Sequence, residues 1–191
     1  MSRRAALIAA AVVLVAAGAF FLLVVGPRWY TAKAPTAATS AAPAPAAAER
    51  KITATLYYVS EDGLSLVGVK REVPFGEPVV EQARRIVEAQ LAPADAPWLS
   101  PVPAGTALRA IFLTERGDAF VDLSADVTTK HTGGSLDELF TVYALVDALT
   151  VNLPAITRVQ ILVEGKEVDT IAGHVDVRHP LVKNLKWVAE K

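Results

Sequence analysis

The strongest pattern along the chain is an uninterrupted apolar run, Ala5 to Val25, rich in Ala, Val and Leu and free of charge. As a helix it is about 31 Å long at 1.5 Å per residue, matching a hydrocarbon core of roughly 30 Å. Arg3 and Arg4 precede it, and Arg28, Trp29 and Tyr30 follow, the two aromatics suiting a headgroup region. The pattern predicts a transmembrane anchor in residues 1–30, with residues 5–25 in the bilayer. The short basic N-terminus sets it N-in, C-out across the cytoplasmic (inner) membrane, single-pass. A cleaved signal peptide is the competing reading, because Ala17-Gly18-Ala19 and Ala32-Lys33-Ala34 resemble cleavage sites. The first triplet lies inside the run and the second well beyond it, which favours a retained anchor.

The pattern then changes twice. Residues 31–50, with the stretch Thr31 to Ala48 at their heart, are Ala- and Pro-rich and hold no large apolar side chain after Tyr30, so they predict a disordered linker. Extended in polyproline fashion, that stretch reaches about 55 Å at 3.1 Å per residue. From residue 51 onward (51–191) apolar periodicity returns. Ile52, Ala54, Leu56 and Tyr58 alternate with more polar positions as in a half-buried strand, and Ser60-Glu61-Asp62-Gly63 supplies a turn. A second strand is expected over Leu64 to Val73, with a bulge at Gly68.

Pro78 opens a helix as its first residue, with Val79, Val80, Ala83, Ile86, Val87 and Leu91 on one face. On the other face Glu81–Arg85 and Arg84–Glu88 have the i,i+4 spacing of ion pairs. A hairpin follows over Ala107 to Leu113 and Ala119 to Leu123. A second helix runs from Ser135 to about Asn152, apolar around most of its axis except for a stripe of Asp137, Thr141, Ala144 and Ala148. Arg158 to Val163 and Val168 to Ala172 complete the order ββαββαββ. That order predicts an α+β domain with a mostly antiparallel sheet packed by two helices.

Composition adds exclusions. The chain has 191 residues and a net charge of −1. Arg3, Arg4, Arg28 and Lys33 are the charged residues before Glu49, leaving 15 Lys and Arg of the 19 against all 20 Asp and Glu. A net-acidic domain behind a basic anchor argues against nucleic acid. With no cysteine there is no disulfide, thiolate chemistry, cysteine-based metal site or lipidated cysteine.

The constellations with a chemical reading are few. His131-Thr132-Gly133-Gly134-Ser135 leads into a helix and presents an anion-binding geometry. Yet Ser135-Leu136-Asp137-Glu138 reads as a capping box, in which Glu138 reaches back to the helix start. His174 and Asp176 share one face of an extended segment, too few ligands for zinc and consistent with a histidine bonded to its neighbouring carboxylate. Asp122 and Asp126 lie beside a turn as solvated or capping residues. There is no G-x-S-x-G elbow and no Walker lysine. Catalytic residues, metal and cofactor are therefore all expected to be none.

Several stretches together resemble the GerMN domain, a family named for sporulation and spore-germination proteins. They are Thr55-Leu56-Tyr57-Tyr58-Val59 with Asp62-Gly63; Pro103-Ala104-Gly105-Thr106; Gly117-Asp118-Ala119-Phe120-Val121-Asp122-Leu123-Ser124; Gly133-Gly134-Ser135; Val159 to Lys166; and Gly173-His174-Val175-Asp176 with Pro180-Leu181. The resemblance implies an extracytoplasmic module of the small α/β ring-building kind, tethered by a lipid or a helix and without catalytic activity. Here the absence of cysteine leaves attachment to the helix. The combined expectation is a non-enzymatic, membrane-anchored interaction or assembly module of the bacterial cell envelope. Its domain would be extracytoplasmic, on the periplasmic or cell-wall side, with an envelope protein or a second copy as partner. The alternative is an extracytoplasmic ligand-binding domain for a cell-wall fragment or small anion. Candidate ligand or interface contacts are Gly133, Gly134, Ser135, His174 and Asp176.

Overall fold

The computed structural model describes residues 50–189. The anchor and linker expected over 1–30 and 31–50 lie outside the described residues, apart from Arg50. Among the described residues no helix is long and apolar enough to cross a membrane.

The opening alternation folds as expected. β1 (Lys51–Val59) and β2 (Leu66–Pro74) form an antiparallel hairpin in unbroken register from Lys51↔Pro74 to Val59↔Leu66, so the bulge expected at Gly68 is absent. The turn is closed by Ser60 N–H to the Ser65 carbonyl and by Asp62 Oδ1 accepting from Leu64 N–H. α1 (Val79–Leu91) buries Ala83, Ile86 and Val87 as the apolar spacing demands, together with Gln82 and Gln90. Pro78 is its N-cap rather than its first helical residue. Glu81 pairs with Arg85 at 3.1 Å as expected, but Glu88 faces Arg85 rather than Arg84.

The second sheet is built from β3 (Leu108–Leu113), β4 (Asp118–Leu123) and β5 (Arg158–Val163). Two short strands, β6 (Lys166–Glu167) and β7 (Leu181–Val182), both pair with β5. Between β4 and β5 come the single-turn α2 (Asp126–Thr129) and the long α3 (Ser135–Asn152). Antiparallel ladders predominate, but the central one, β4–β5, is parallel over six residue pairs. The reason is the helix: α3 carries the chain back along the sheet, so β5 starts at the same end as β4. The strand expected over Val168 to Ala172 is not formed; β6 ends at Glu167, because the next residues wrap a buried carboxylate described below.

Two sheets are present where a single one was expected. α3 contacts β1 of the hairpin and β5 of the larger sheet, and α1 contacts β1, β2 and β3. The helices thus lie between the sheets, which explains why α3 is apolar around most of its axis. Of its small or polar stripe, Thr141, Ala144 and Ala148 are themselves buried. That stripe continues to Asn152, whose side chain bonds β1, so the small side chains let helix and hairpin approach closely.

The free edge of β1 receives no strand along most of its length. The Asn152 amide donates to the Thr55 carbonyl and accepts from Thr55 N–H, each at 2.8 Å. The Gln90 amide does the same for Tyr57, at 2.7 and 2.9 Å. At the last rung Val59 N–H donates to the Leu99 carbonyl. Two side-chain amides therefore stand in for a neighbouring strand, satisfying backbone groups that burial would otherwise orphan.

The β3–β4 turn depends on Gly117. Its φ is 82°, and a Cβ there would lie 2.7 Å from the Ala155 carbonyl oxygen. Gly117→Ala is expected to destabilise the domain by about 1–3 kcal/mol through backbone strain and this clash, read as a lower urea midpoint.

After β7 the chain forms a strap. Asn184 N–H reaches α3, Leu185–Trp187 makes a 3-10 turn, and Val188 bridges to Leu66 while Ala189 N–H donates to the Leu66 carbonyl.

Candidate functional site

The segment His131 to Ser135 enters α3 differently from the expected capping box. Gly134, not Ser135, is the N-cap; its φ of 95° is a backbone state that glycine tolerates, and no side chain caps the helix. Ser135 is the first helical residue and is exposed. Asp137 lies over this end, within 3.5 Å of the Thr132 hydroxyl, so an anion approaching Gly133 and Gly134 meets a carboxylate.

His131 organises the approach. Its Nδ1 accepts from Gly133 N–H at 3.0 Å, which leaves the ring proton on Nε2, 3.1 Å from the Thr141 hydroxyl. Thr141 in turn donates to the Pro101 carbonyl. This relay joins the loop before α3 to the proline-rich loop after α1. Between the two loops is a groove of about 450 Å³. Leu99, Pro101, Val102 and Phe140 form its apolar surface, with Lys130 and Asp137 among its charged residues. Lys130 is paired with Asp126 at 2.8 Å. A volume of this kind suits a small ligand or a side chain of a partner. His131 and Thr141 are not arranged as base and nucleophile, because Nε2 already carries the ring proton and the Thr141 proton is directed at a carbonyl.

Glu138 is the residue that the sequence reading misassigned. Instead of reaching back to the helix start, its carboxylate is fully buried and is enclosed by the loop after β6. Ile171 N–H and Ala172 N–H donate to Oε1 at 2.7 and 2.8 Å, and His174 N–H donates to Oε2 at 2.7 Å. Burial pushes this carboxyl up, but the N–H groups of Ala172, His174, Ile171 and Val175 outweigh it and hold it below the usual range. The available signal was positional: Glu138 shares the buried stripe of Val142, Leu145 and Leu149 at helical spacing.

His174 and Asp176 do not act as a pair. His174 Nδ1 is 3.3 Å from Glu138 Oε2, while Asp176 forms a two-pronged bond with the Arg178 guanidinium at 3.0 and 2.6 Å. That bond, with Arg178 N–H, pulls the Asp176 carboxyl well below the usual range. The fold therefore brings Gly133, Gly134, Ser135 and His174 to the first turn of α3 and leaves Asp176 occupied elsewhere. Asp122 is not solvated either: it is buried and accepts from Gly165 N–H at 2.7 Å and from Arg109 at 3.0 Å. Among the described residues no group of three His, Asp or Glu is placed to hold a metal.

On the outer face of the larger sheet, Phe112 is 59% exposed and sits opposite Phe120 across the β3–β4 ladder. Leu162 of β5 is partly exposed one rung away, beside Asp122.

Comparison with known proteins is consistent with this architecture. A family model named Germane and described as sporulation and spore germination matches residues 55–169. No curated protein matches the chain. The chain is similar to the first GerMN domain of the sporulation protein GerM from Bacillus subtilis, at 18% identity and a TM-score of 0.54, covering 69% of this chain and 97% of that one. It is also similar to the tandem GerMN domains of the same protein, at 16% identity and a TM-score of 0.54, covering 70% of this chain. It spans 46% of that tandem structure, about half its length. At these identities the structural likeness is one of fold.

Proposed function

The chain belongs to the Germane family of sporulation and spore germination domains, and from that membership we propose that it is a non-enzymatic assembly or interaction module of the cell envelope. In this reading residues 5–25 anchor it in the inner membrane, the Ala/Pro-rich segment sets its reach, and the domain works outside the cytoplasm. The partner is an envelope protein or a second copy of the chain.

The observation that carries the reading is the outward apolar face around Phe112 and Phe120. A domain that buries Leu56, Leu66, Ile86, Leu145 and Ile161 almost completely leaves a phenylalanine pair on a sheet surface. Exposed apolar surface next to a well-packed core is typical of contact sites. His131 and Thr141, whose protons are committed to structural bonds, support the non-enzymatic part.

The described residues form one compact unit, so the piece from Arg50 to Lys191 suits the test. Sedimentation at rising concentration should show self-association, or crosslinking in envelope should recover a protein partner. Phe112→Lys should abolish either result while leaving the thermal midpoint within about 2 °C, as an exposed substitution does. A strictly monomeric piece that recovers no partner would refute the proposal.

The groove supports a second reading, an extracytoplasmic site for a cell-wall fragment or small anion. A thermal-shift screen with muropeptides and inorganic anions separates the two, since reproducible stabilisation that is lost on replacing the exposed groove residue Leu99 in Leu99→Asp would favour the groove.

A further inference from the structure

The strap after β7 has no part in the proposed function, yet it crosses a buried carboxylate of α3 that is only half satisfied. It starts on the edge of β5 with Leu181–Val182, crosses α3 at Asn184 and ends beside Leu66 of β2. It therefore ties the larger sheet to the hairpin. Where it crosses α3 it meets Asp147, which is fully buried. Oδ1 of that carboxylate accepts from Asn184 N–H at 2.9 Å, whereas Oδ2 has no partner among the described residues.

A buried carboxylate with one of its two oxygens unbonded is costly when ionised. Burial is the dominant influence on Asp147 and pushes its carboxyl up to about 6, against the opposing effects of Asn184 N–H and of Lys183 on the strap. From the hairpin side it faces Tyr57 of β1, whose hydroxyl is pushed up to about 12 by burial first and by Asp147 second. The ionisable groups acting on Asp147 are thus Lys183, which favours its charge, and Tyr57, which is neutral throughout the range concerned.

We propose that the strap, residues 181–189, is a pH-operated latch with Asp147 as its sensor, closed over α3 in mild acid and loosened as the medium turns neutral. With the strap down, Asp147 is shielded from water. Lifting the strap hydrates the carboxylate and returns it towards its ordinary titration range. The closed form therefore holds the proton more tightly than the open form. Linkage then makes closure strongest below the ordinary carboxyl range near pH 4, and weakens it progressively as pH rises to about 6. Between pH 5 and 8 the closing equilibrium should fall by about tenfold.

Hydrogen exchange of the full chain, corrected for the intrinsic pH dependence of amide exchange, provides the test. Amides of residues 183–189 should lose about tenfold protection between pH 5 and 8. Asp147→Asn should flatten that profile, because an amide of the same shape does not titrate. Should that variant fail to fold, the Asp147 carboxyl carbon resonance of the natural chain gives the second measurement. Its midpoint should lie near 6 and move higher in Lys183→Gln, which removes the compensating cation. Strap protection that is indifferent to pH, a slope retained in Asp147→Asn, or an Asp147 resonance titrating near pH 4 would each overturn the proposal.

Discussion

Glu138→Ala is expected to destabilise the domain by about 4 kcal/mol, a large share of a typical 5–15 kcal/mol total. Three backbone N–H groups, those of Ile171, Ala172 and His174, would lose a charged acceptor at hydrogen-bond distance. Bonds to a charged group contribute about 1.5–3 kcal/mol each and are not additive, so a value below their sum is appropriate. The first structural consequence should be local: the loop after β6 is shaped around the carboxylate and would lose protection before the sheets do. Urea denaturation followed by circular dichroism gives the total, and hydrogen exchange over residues 170–175 gives the local part. Glu138→Gln keeps the volume but points an NH₂ group at donors, and should cost about half as much.

The pH dependence has a definite sign. The native carboxyl of Glu138 titrates below its unfolded value, so its contribution is present above the ordinary glutamate range and disappears as pH falls through the native value. The stability gap between the natural chain and Glu138→Gln should therefore narrow below about pH 4. Asp147 acts in the opposite sense, since its carboxyl is raised and its contribution is lost as pH rises to about 6. A gap that stays constant down to pH 2.5 would count against the clamp.

Gln90→Leu is expected to cost about 3 kcal/mol. Gln90 is fully buried, and its amide both donates to and accepts from the backbone of Tyr57. Leucine of similar volume preserves the packing and leaves an N–H and a C=O unsatisfied, each penalised by about 1–3 kcal/mol. Gln90→Glu should be no better: the carboxylate can take the Tyr57 N–H but is repelled by the Tyr57 carbonyl. Asn152→Leu should cost less, because Asn152 is only partly buried and water can replace it. Chemical denaturation of the three variants, with exchange of the Tyr57 amide as a local probe, checks the order. Equal stability of Gln90→Leu and the natural chain would show that the amide plug is dispensable.

Those two residues mark where sequence reasoning stops. The first hairpin, the buried face of α1 and the bounds of α3 were legible because their causes are local: period-two alternation, helical spacing, and a proline two residues beyond Asn152. Gln90 and Glu138 were not, because their partners lie 33 to 36 residues away and polar side chains on a helix ordinarily face water. Ser135 and Glu138 had the spacing of a capping box, but a buried loop rich in free N–H groups competes better for that carboxylate than the helix start does. The parallel β4–β5 pair was hidden for another reason. Short turns reveal hairpins directly, whereas the direction of a strand after a long helix depends on where the helix packs. Of the candidate contacts, Gly133, Gly134 and Ser135 were traceable to the start of α3, whereas His174 reaches it only through the long-range bond to Glu138, and the groove itself is made by a relay through Thr141 and Pro101 that no spacing announces.

The amide-lined edge of β1 also keeps the domain from joining other chains through its backbone. An open strand edge invites any extended chain to join it, and two identical hairpins would zip together indiscriminately. Because Asn152 and Gln90 occupy two of its rungs and Leu99 the last, that route is closed from within, and any association is left to surfaces whose contacts depend on side chains. A deamidation at position 90 or 152 would do more than lower stability: it would set a carboxylate against a strand carbonyl and weaken the seal on that edge.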